Sequence, residues 1–377
     1  MSGTKSFDLL VLPGDGIGVE IIEQAIRVVD WHRDSFDLSI NTETALVGGS
    51  SIDEFGTPIT DEVVDKAARA DAVLFGAVGG PKWDDRPRAV RPEMGILRLR
   101  KDLDLFANLR PAVHFPTLTG ASPLRPELVD GADIMIVRES TASVYFGQPR
   151  GIETDDSGMR RAIDTQAYHE AEIARVARAA FTIAGRRSGR LCSVDKANVM
   201  ESGQLWRAVV NEIAADYPDV ELTHMYADNC AMQLLLEPGQ FDVIVTDNLF
   251  GDILSDEAAA VCGSIGLLPS ATLHIGNDGK PQRGLYEPIH GSAPDIAGKG
   301  ISNPIAAMLS FALCLDYSFG MPEAARGLER AINNVLGRGI CTPDIAARES
   351  DAVSTVELGD AVLAELDSNA ATRGRVA

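Results

Sequence analysis

Lysine is scarce in this chain of 377 residues. Only seven of its 34 basic residues are lysines. Arginine does most of the cationic work, so a lysine inside a quiet, neutral motif stands out. Positive charge is short overall, since 55 acidic residues leave a net charge of −21 and a pI near 4.6. That balance argues against a nucleic-acid or anionic-membrane partner, and an anionic small substrate needs a local cluster of cations. The five cysteines, Cys192, Cys230, Cys262, Cys314 and Cys341, have neither CxxC nor metal-ligand spacing. Free, mostly buried thiols in a reducing compartment are expected. Long apolar runs are missing as well. Nothing approaches a membrane span, and Phe7–Leu12 is too short for a signal peptide and leads into glycine and aspartate. The cytoplasm is the expected location. No internal repeat or low-complexity tract is present. At 45% hydrophobic and 24% charged, the composition suits two globular domains with sizeable cores.

A full dinucleotide fingerprint is also lacking. Phe7–Leu12 reads as a buried strand running into Pro13-Gly14-Asp15-Gly16-Ile17-Gly18, then a helix to about Asp30. Position 19 is valine, so G-x-G-x-x-G fails and a tight strand-to-helix turn is the reading. Strands are expected near Leu38–Val47, at Ala72–Phe75 before a Gly-rich loop, and at Asp133–Val137. Others are expected at Leu191–Val194, before Met225, at Phe241–Val245 and at Ser270–Ile275. Thr60 caps a helix to Ala70. Gln148 to Asp164 has no helical period and reads as an extended arm or loop. Helices follow over about Thr165–Arg186, Gly203–Asp216, Pro304–Tyr317, Glu323–Leu336 and Val356–Leu366, and the small, polar tail from Asp367 is expected to fray. The repeated strand–helix rhythm implies an α/β chain with a largely parallel sheet.

Val245 to Glu257 carries the chemistry. Asp252 and Asp256 are four apart, which stacks two carboxylates on one helical face. Two readings fit: a site for a hard divalent cation, or a solvated acidic face near a helix start. The pair alone favours the second; the strand–loop–helix setting raises the odds of the first, because open α/β sheets place their sites beyond strand ends. Arg100, Arg110 and Arg138 fall at or near element ends. Singly they read as surface arginines; together they could clamp a dicarboxylate bidentately.

The chain resembles the metal-dependent β-decarboxylating dehydrogenases, the family of isocitrate, homoisocitrate, tartrate and 3-isopropylmalate dehydrogenases. The resemblance covers nearly its whole length. It rests on Leu12–Gly18, Gly76–Trp83, Leu99-Arg100-Lys101, Asn108–Pro111, Tyr145–Gly151, Asp195–Val199, Thr246–Glu257 and Glu287–Gly300. It implies a non-Rossmann, two-domain α/β fold with a mostly parallel sheet. Residues 1–105 and 263–377 would form a discontinuous cofactor domain. Residues 106–262 would form a second domain carrying the arm and the interface of a homodimer with shared active sites. Lys196 would relay the substrate hydroxyl proton and Tyr145 would protonate the enolate left after decarboxylation. Asp228, Asp252 and Asp256 would hold Mg²⁺ or Mn²⁺. Arg100, Arg110 and Arg138, with Asp228, would bind a small dicarboxylate.

The substrate's side chain would face Glu93, Ile96, Leu97 and, from the second domain, Val199. The apolar Ile96 and Leu97 suit an isopropyl group and offer nothing to a third carboxylate. The expected activity is therefore oxidative decarboxylation of 3-isopropylmalate, in leucine biosynthesis. His290, Gly291, Ser292, Ala293, Pro294, Asp295 and Asn303 would bind the cofactor. Asp295 at a ribose hydroxyl, with Ile296 beside it, implies NAD rather than NADP. The rivals are a sister enzyme for homoisocitrate, tartrate or isocitrate, and a non-catalytic regulatory subunit. Retention of Tyr145, Lys196, Asp228, Asp252 and Asp256 speaks against the last. One departure stands out. Where the family reads Glu-Leu-Thr-Gly-Gly-Ile, this chain has Glu139-Ser140-Thr141-Ala142-Ser143-Val144. A positive φ at either replaced glycine would cost on the order of 1 kcal/mol.

Overall fold

Alternation between short apolar runs and amphipathic segments builds twelve strands and twelve helices in the computed structural model, which describes residues 6–36, 38–118, 122–276 and 279–374. The strands are β1 (Ser6–Gly14), β2 (Ser39–Thr44), β3 (Ala72–Ala77), β4 (Ala107–Val113), β5 (Asp133–Glu139), β6 (Gly151–Thr154), β7 (Arg160–Ile163), β8 (Arg190–Asp195), β9 (Glu221–Tyr226), β10 (Val243–Thr246), β11 (Pro269–Ile275) and β12 (Pro281–Pro288). The helices are α1 (Gly18–Ser35), α2 (Gly49–Phe55), α3 (Asp61–Arg69), α4 (Glu93–Asp102), α5 (Pro126–Val129), α6 (Glu170–Gly185), α7 (Glu201–Ala214), α8 (Ala227–Leu236), α9 (Asn248–Cys262), α10 (Ile305–Tyr317), α11 (Pro322–Gly337) and α12 (Thr355–Gly374).

Ten strands form one sheet in the order β2-β1-β3-β12-β11-β4-β5-β10-β8-β9. Six of its nine pairings are parallel, as expected; β12–β11, β11–β4 and β4–β5 are antiparallel. Strands such as β3 and β10 are buried along their length because helices cover both faces. Helix α10 is buried almost all round, through Met308, Phe311 and Leu315 among others. All five cysteines are free and buried. Among the described residues no helix is long and apolar enough to cross a membrane.

Three expectations shift. The arm is a two-stranded antiparallel hairpin, β6–β7, rather than a loop. Both of its faces are exposed apart from Ile163, so it carries no alternation to read. Helix α6 begins at Glu170, not near Thr165, because His169 and Glu172 cap it reciprocally, with His169 N donating to Glu172 Oε2 at 2.7 Å. The tail does not fray at Asp367. Helix α12 runs to Gly374, anchored on α1 where Trp31 Nε1 donates to Asp367 Oδ1 at 2.7 Å.

Candidate active site

Helix α9 organises the site. Strand β10 ends at Thr246, and Asp247 caps the helix, its Oδ1 accepting from Phe250 N at 2.8 Å. Burial pushes the Asp247 carboxyl up to about 6. One and two turns further on come Asp252 and Asp256. Glycine at 251 is required, since a Cβ there would lie 2.6 Å from Arg138 Cγ. That gap lets the Arg138 side chain lie flat against the helix.

The three arginines are buried, contrary to the reading of each as a surface residue. Arg138 Nε donates to the Asn248 carbonyl at 2.8 Å, Nη2 donates to Asn248 Oδ1 at 2.7 Å, and Nη1 is paired with Asp252 Oδ1. Arg110 Nε donates to Asn108 Oδ1 at 2.6 Å and Nη1 to Ser255 Oγ at 2.7 Å. The same Nη1 lies 3.3 Å from Asp252 Oδ1 and 3.6 Å from Asp256 Oδ1. Tyr145 completes the group: its hydroxyl donates to Asp252 Oδ2 at 2.6 Å, and the Arg138 guanidinium sits 5.4 Å from its ring centre. Arg100 reaches in from α4 and pairs with Glu287 at 2.8 Å, leaving its Nε buried without a partner.

Burial and like charge set the electrostatics. Burial, then Arg138, lowers Arg110 to about 10. Burial pushes Asp252 up, but the Arg138 and Arg110 guanidiniums outweigh it and hold the carboxyl below its ordinary value. Asp256 goes the other way, raised by burial and by Asp252 despite Arg110. Burial and the bond to Asp252 raise the Tyr145 phenol. An anion with two carboxylates therefore meets guanidiniums stripped of water and a phenol held protonated.

Lys196 and Asp228 lie apart from this group. Lys196 follows β8, and Asp228 opens α8 after β9. Lys196 Nζ donates to Asp228 Oδ1 and holds that carboxyl below its ordinary value. Among the described residues no three carboxylate, histidine or cysteine side chains converge as a metal site, so Asp228 does not join Asp252 and Asp256 within one chain. Exposed apolar side chains follow in the same segments: Val199 three residues after Lys196, and Met232, Leu235 and Leu236 along α8.

The helix expected to face the substrate is α4. Glu93 is exposed in its first turn. Ile96 is mostly taken up in an apolar cluster with Val47, Ile59, Leu99 and Leu103. Leu97 is only partly buried and lines a groove of about 670 Å³ with Met94, Tyr145 and Phe146.

The expected cofactor loop lies against the first strand-to-helix turn. Ile17 N donates to Ser292 O at 2.9 Å. Gly14, at φ 77°, would place a Cβ 1.9 Å from Ala77 O, so only glycine fits that turn. Asp15 ties the neighbouring loops together by accepting from Gly49 N at 2.7 Å, Ser50 N at 2.8 Å and Gly79 N at 3.0 Å. Gly291, Pro294 and Asp295 are exposed, while Ala293 takes φ 37°. His290 Nε2 is buried without a partner. Asn303 is already engaged, its side-chain Oδ1 accepting from Ile305 N at 3.0 Å and its Nδ2 donating to Asp344 Oδ2 at 3.1 Å.

Four residues that the sequence did not single out hold this arrangement. Asn248 binds Arg138; Glu287 balances Arg100; Gly251 makes room for Arg138; Gln166 bonds to Asp247. Only Gly251 left a signal, a glycine inside a helical pattern.

This geometry, buried arginines against a paired-aspartate helix at strand ends, is the setting of a dicarboxylate enzyme on an α/β sheet. The sequence profile of the isocitrate/isopropylmalate dehydrogenase family matches residues 8–362, and the chain belongs to that family. It is 54% identical to the 3-isopropylmalate dehydrogenase of Pseudomonas fluorescens over 361 residues, 96% of this chain and 99% of that one. It is 56% identical to the 3-isopropylmalate dehydrogenase of Rhodospirillum rubrum over 359 residues, 95% of this chain and 97% of that one. Among solved structures, isocitrate dehydrogenase from Methylococcus capsulatus superposes with a TM-score of 0.84 at 32% identity, covering 96% of this chain and 99% of that one. A β-decarboxylating dehydrogenase from Thermococcus kodakarensis gives 0.77 at 34% identity, with 96% of both chains covered.

Proposed function

We propose that this chain converts (2R,3S)-3-isopropylmalate to 4-methyl-2-oxopentanoate and CO₂, with NAD as hydride acceptor, in leucine biosynthesis. The observation that carries the reading is the convergence of the Arg110 and Arg138 guanidiniums and the Tyr145 hydroxyl on Asp252. Buried guanidiniums grip the two carboxylates and orient the substrate, with Arg100 contributing from α4. Lys196 takes the proton of the substrate hydroxyl, and Tyr145 returns one to the carbon that loses CO₂. The half-exposed, oxygen-rich pair Asp252 and Asp256 fits Mg²⁺ or Mn²⁺, with Asp228 of a second copy as the further donor. Such a cation supplies Lewis-acid polarisation of the substrate hydroxyl and carboxylate. The unpartnered His290 Nε2 fits a cofactor seated on the loop to Asp295, and the Asp295 carboxylate repels the extra phosphate of NADP.

Residues 1–105 and 263–377 make the cofactor lobe, and 106–262 make the lobe that pairs in a homodimer. Exposed apolar side chains at Val199, Met232, Leu235 and Leu236, beside Lys196 and Asp228, support an interface there. Two copies joined on this face would each lend Lys196 and Asp228 to the other's arginines.

Purified protein assayed with NAD and Mg²⁺ tests the reading. kcat/KM for 3-isopropylmalate should exceed that for isocitrate by about a hundredfold or more, since the apolar side chains of Ile96 and Leu97 offer a third carboxylate no hydrogen bond. Comparable values would move the assignment to the isocitrate branch of the family. Equal use of NADP would remove the role given to Asp295.

A further inference from the structure

Ser143 adopts φ 76°, a left-handed conformation that glycine enters freely and a side chain resists. It stands at a position where the family resemblance expects glycine. Its hydroxyl is bonded rather than free. Oγ donates to Gln166 Oε1 at 2.6 Å, and Val144 N donates to the same oxygen at 3.1 Å. Gln166 Nε2 donates in turn to Asp247 Oδ2 at 2.8 Å. The other oxygen of Asp247 caps α9, the helix whose Asp252 receives the Tyr145 hydroxyl. One residue earlier, Asn248 Nδ2 holds the Ala142 carbonyl at 3.0 Å. One residue after Tyr145 the turn closes, with Phe146 N at 3.1 Å and Gly147 N at 2.8 Å from Ser143 O. The turn carrying Tyr145 is thus bound to the start of α9 by two side chains, and Gln166 is the one that grips the residues directly before the tyrosine.

We propose that Ser143 and Gln166 form a clamp that sets the Tyr145 hydroxyl against Asp252, so that both are positioning residues for the proton transfer. The inference rests on the acid role given to Tyr145 above. Its physical basis is geometric. A phenol held at 2.6 Å tolerates little displacement, and rotation of the peptide after Ser143 carries the tyrosine ring off Asp252. The bond to Gln166 opposes that rotation at a residue whose own backbone resists its conformation.

The test uses Ser143→Ala, Ser143→Gly and Gln166→Leu, with Tyr145→Phe as reference. Protein labelled with 3-fluorotyrosine reports the phenols by ¹⁹F NMR. The chain has six tyrosines, and the resonance lost in Tyr145→Phe assigns that of Tyr145. Ser143→Ala and Gln166→Leu should lower kcat about tenfold while KM stays within about twofold. In both, the Tyr145 ¹⁹F resonance should move from its unaltered chemical shift towards that of a solvent-exposed tyrosine, because the hydroxyl has left the carboxylate. Ser143→Gly frees the backbone yet lacks the hydroxyl, so it should also be slow, with Tm unchanged. Wild-type kcat and an unmoved Tyr145 ¹⁹F resonance in Ser143→Ala would overturn the clamp. So would a loss confined to KM. Should Gln166→Leu fail to fold, Ser143→Ala carries the test alone. Turnover surviving in Tyr145→Phe would remove the acid role, while the ¹⁹F chemical shift of Tyr145 in Ser143→Ala would still decide the clamp.

Discussion

Asp252 and Asp228 occupy similar places, each near the start of a helix that follows a parallel strand. Their surroundings differ. Asp252 faces Arg110, Arg138 and Tyr145 of its own chain, and those arginines are among the most buried charges in the molecule. Asp228 has a side chain that is 70% exposed, with Lys196 as its ion-pair partner and the exposed Met232, Leu235 and Leu236 further along its helix. In the proposed reading the chain would complete one half of a site internally and turn the other half outward. Exposed apolar surface beside a pre-formed ion pair is where a second molecule would finish the job.

The sharpest way to break this contrast is to neutralise each aspartate. Asp252→Asn and Asp228→Asn should each lower kcat by about a thousandfold or more, since both remove a donor to the proposed cation. Only Asp252→Asn should lower the Tm. It strips the countercharge from two buried guanidiniums, a loss of about 2–3 kcal/mol, less than the ~3–5 of a fully buried pair because Asp252 is 36% exposed. Equal melting temperatures for the two variants would erase the distinction.

A subunit-mixing experiment probes the outward half directly. Lys196→Ala and Asp256→Ala should each be nearly inactive as homodimers. Unfolded and refolded together, they make mixed dimers in which one site lacks both groups and the other is intact. Random pairing returns about a quarter of the unaltered activity. Mixed dimers that form without activity would place Lys196 in the site of its own chain.

The smallest expected effect is on cation binding against pH. Burial raises Asp256, whereas Lys196 lowers Asp228. Protons compete with the cation at the group that titrates higher, so Mn²⁺ affinity should fall as pH drops through the raised Asp256 range, by at most about tenfold per pH unit. In a titration of free Mn²⁺ by electron paramagnetic resonance, Asp256→Asn should flatten that dependence and Asp228→Asn should keep it. The reverse pattern would refute the assigned directions.

What could be read in the sequence was local. The four-residue spacing of Asp252 and Asp256 needs only helical geometry, and the failed glycine fingerprint needs only position 19. The partners of those residues are not local. Glu287 meets Arg100 across 187 positions, and Asn248 meets Arg138 across 110. No spacing rule links such pairs, so Asn248 drew no notice and each arginine taken singly read as a surface group. The hairpin β6–β7 escaped notice because strands exposed on both faces have no period. The end of α12 escaped notice because its anchor, Trp31, lies at the opposite end of the chain.

The sheet order has a consequence for how the chain is made. Strand β3 is complete by Ala77, but its neighbour on one side is β12, with Leu285 beside Val73 and Tyr286 beside Leu74. More than half of the chain must leave the ribosome between those partners. Through that interval β3 has its native neighbour β1 on one edge only, and the other edge is an open template for any strand nearby. The end of the sheet that begins first is therefore the end that finishes last, with all of β4 to β10 synthesised while it waits.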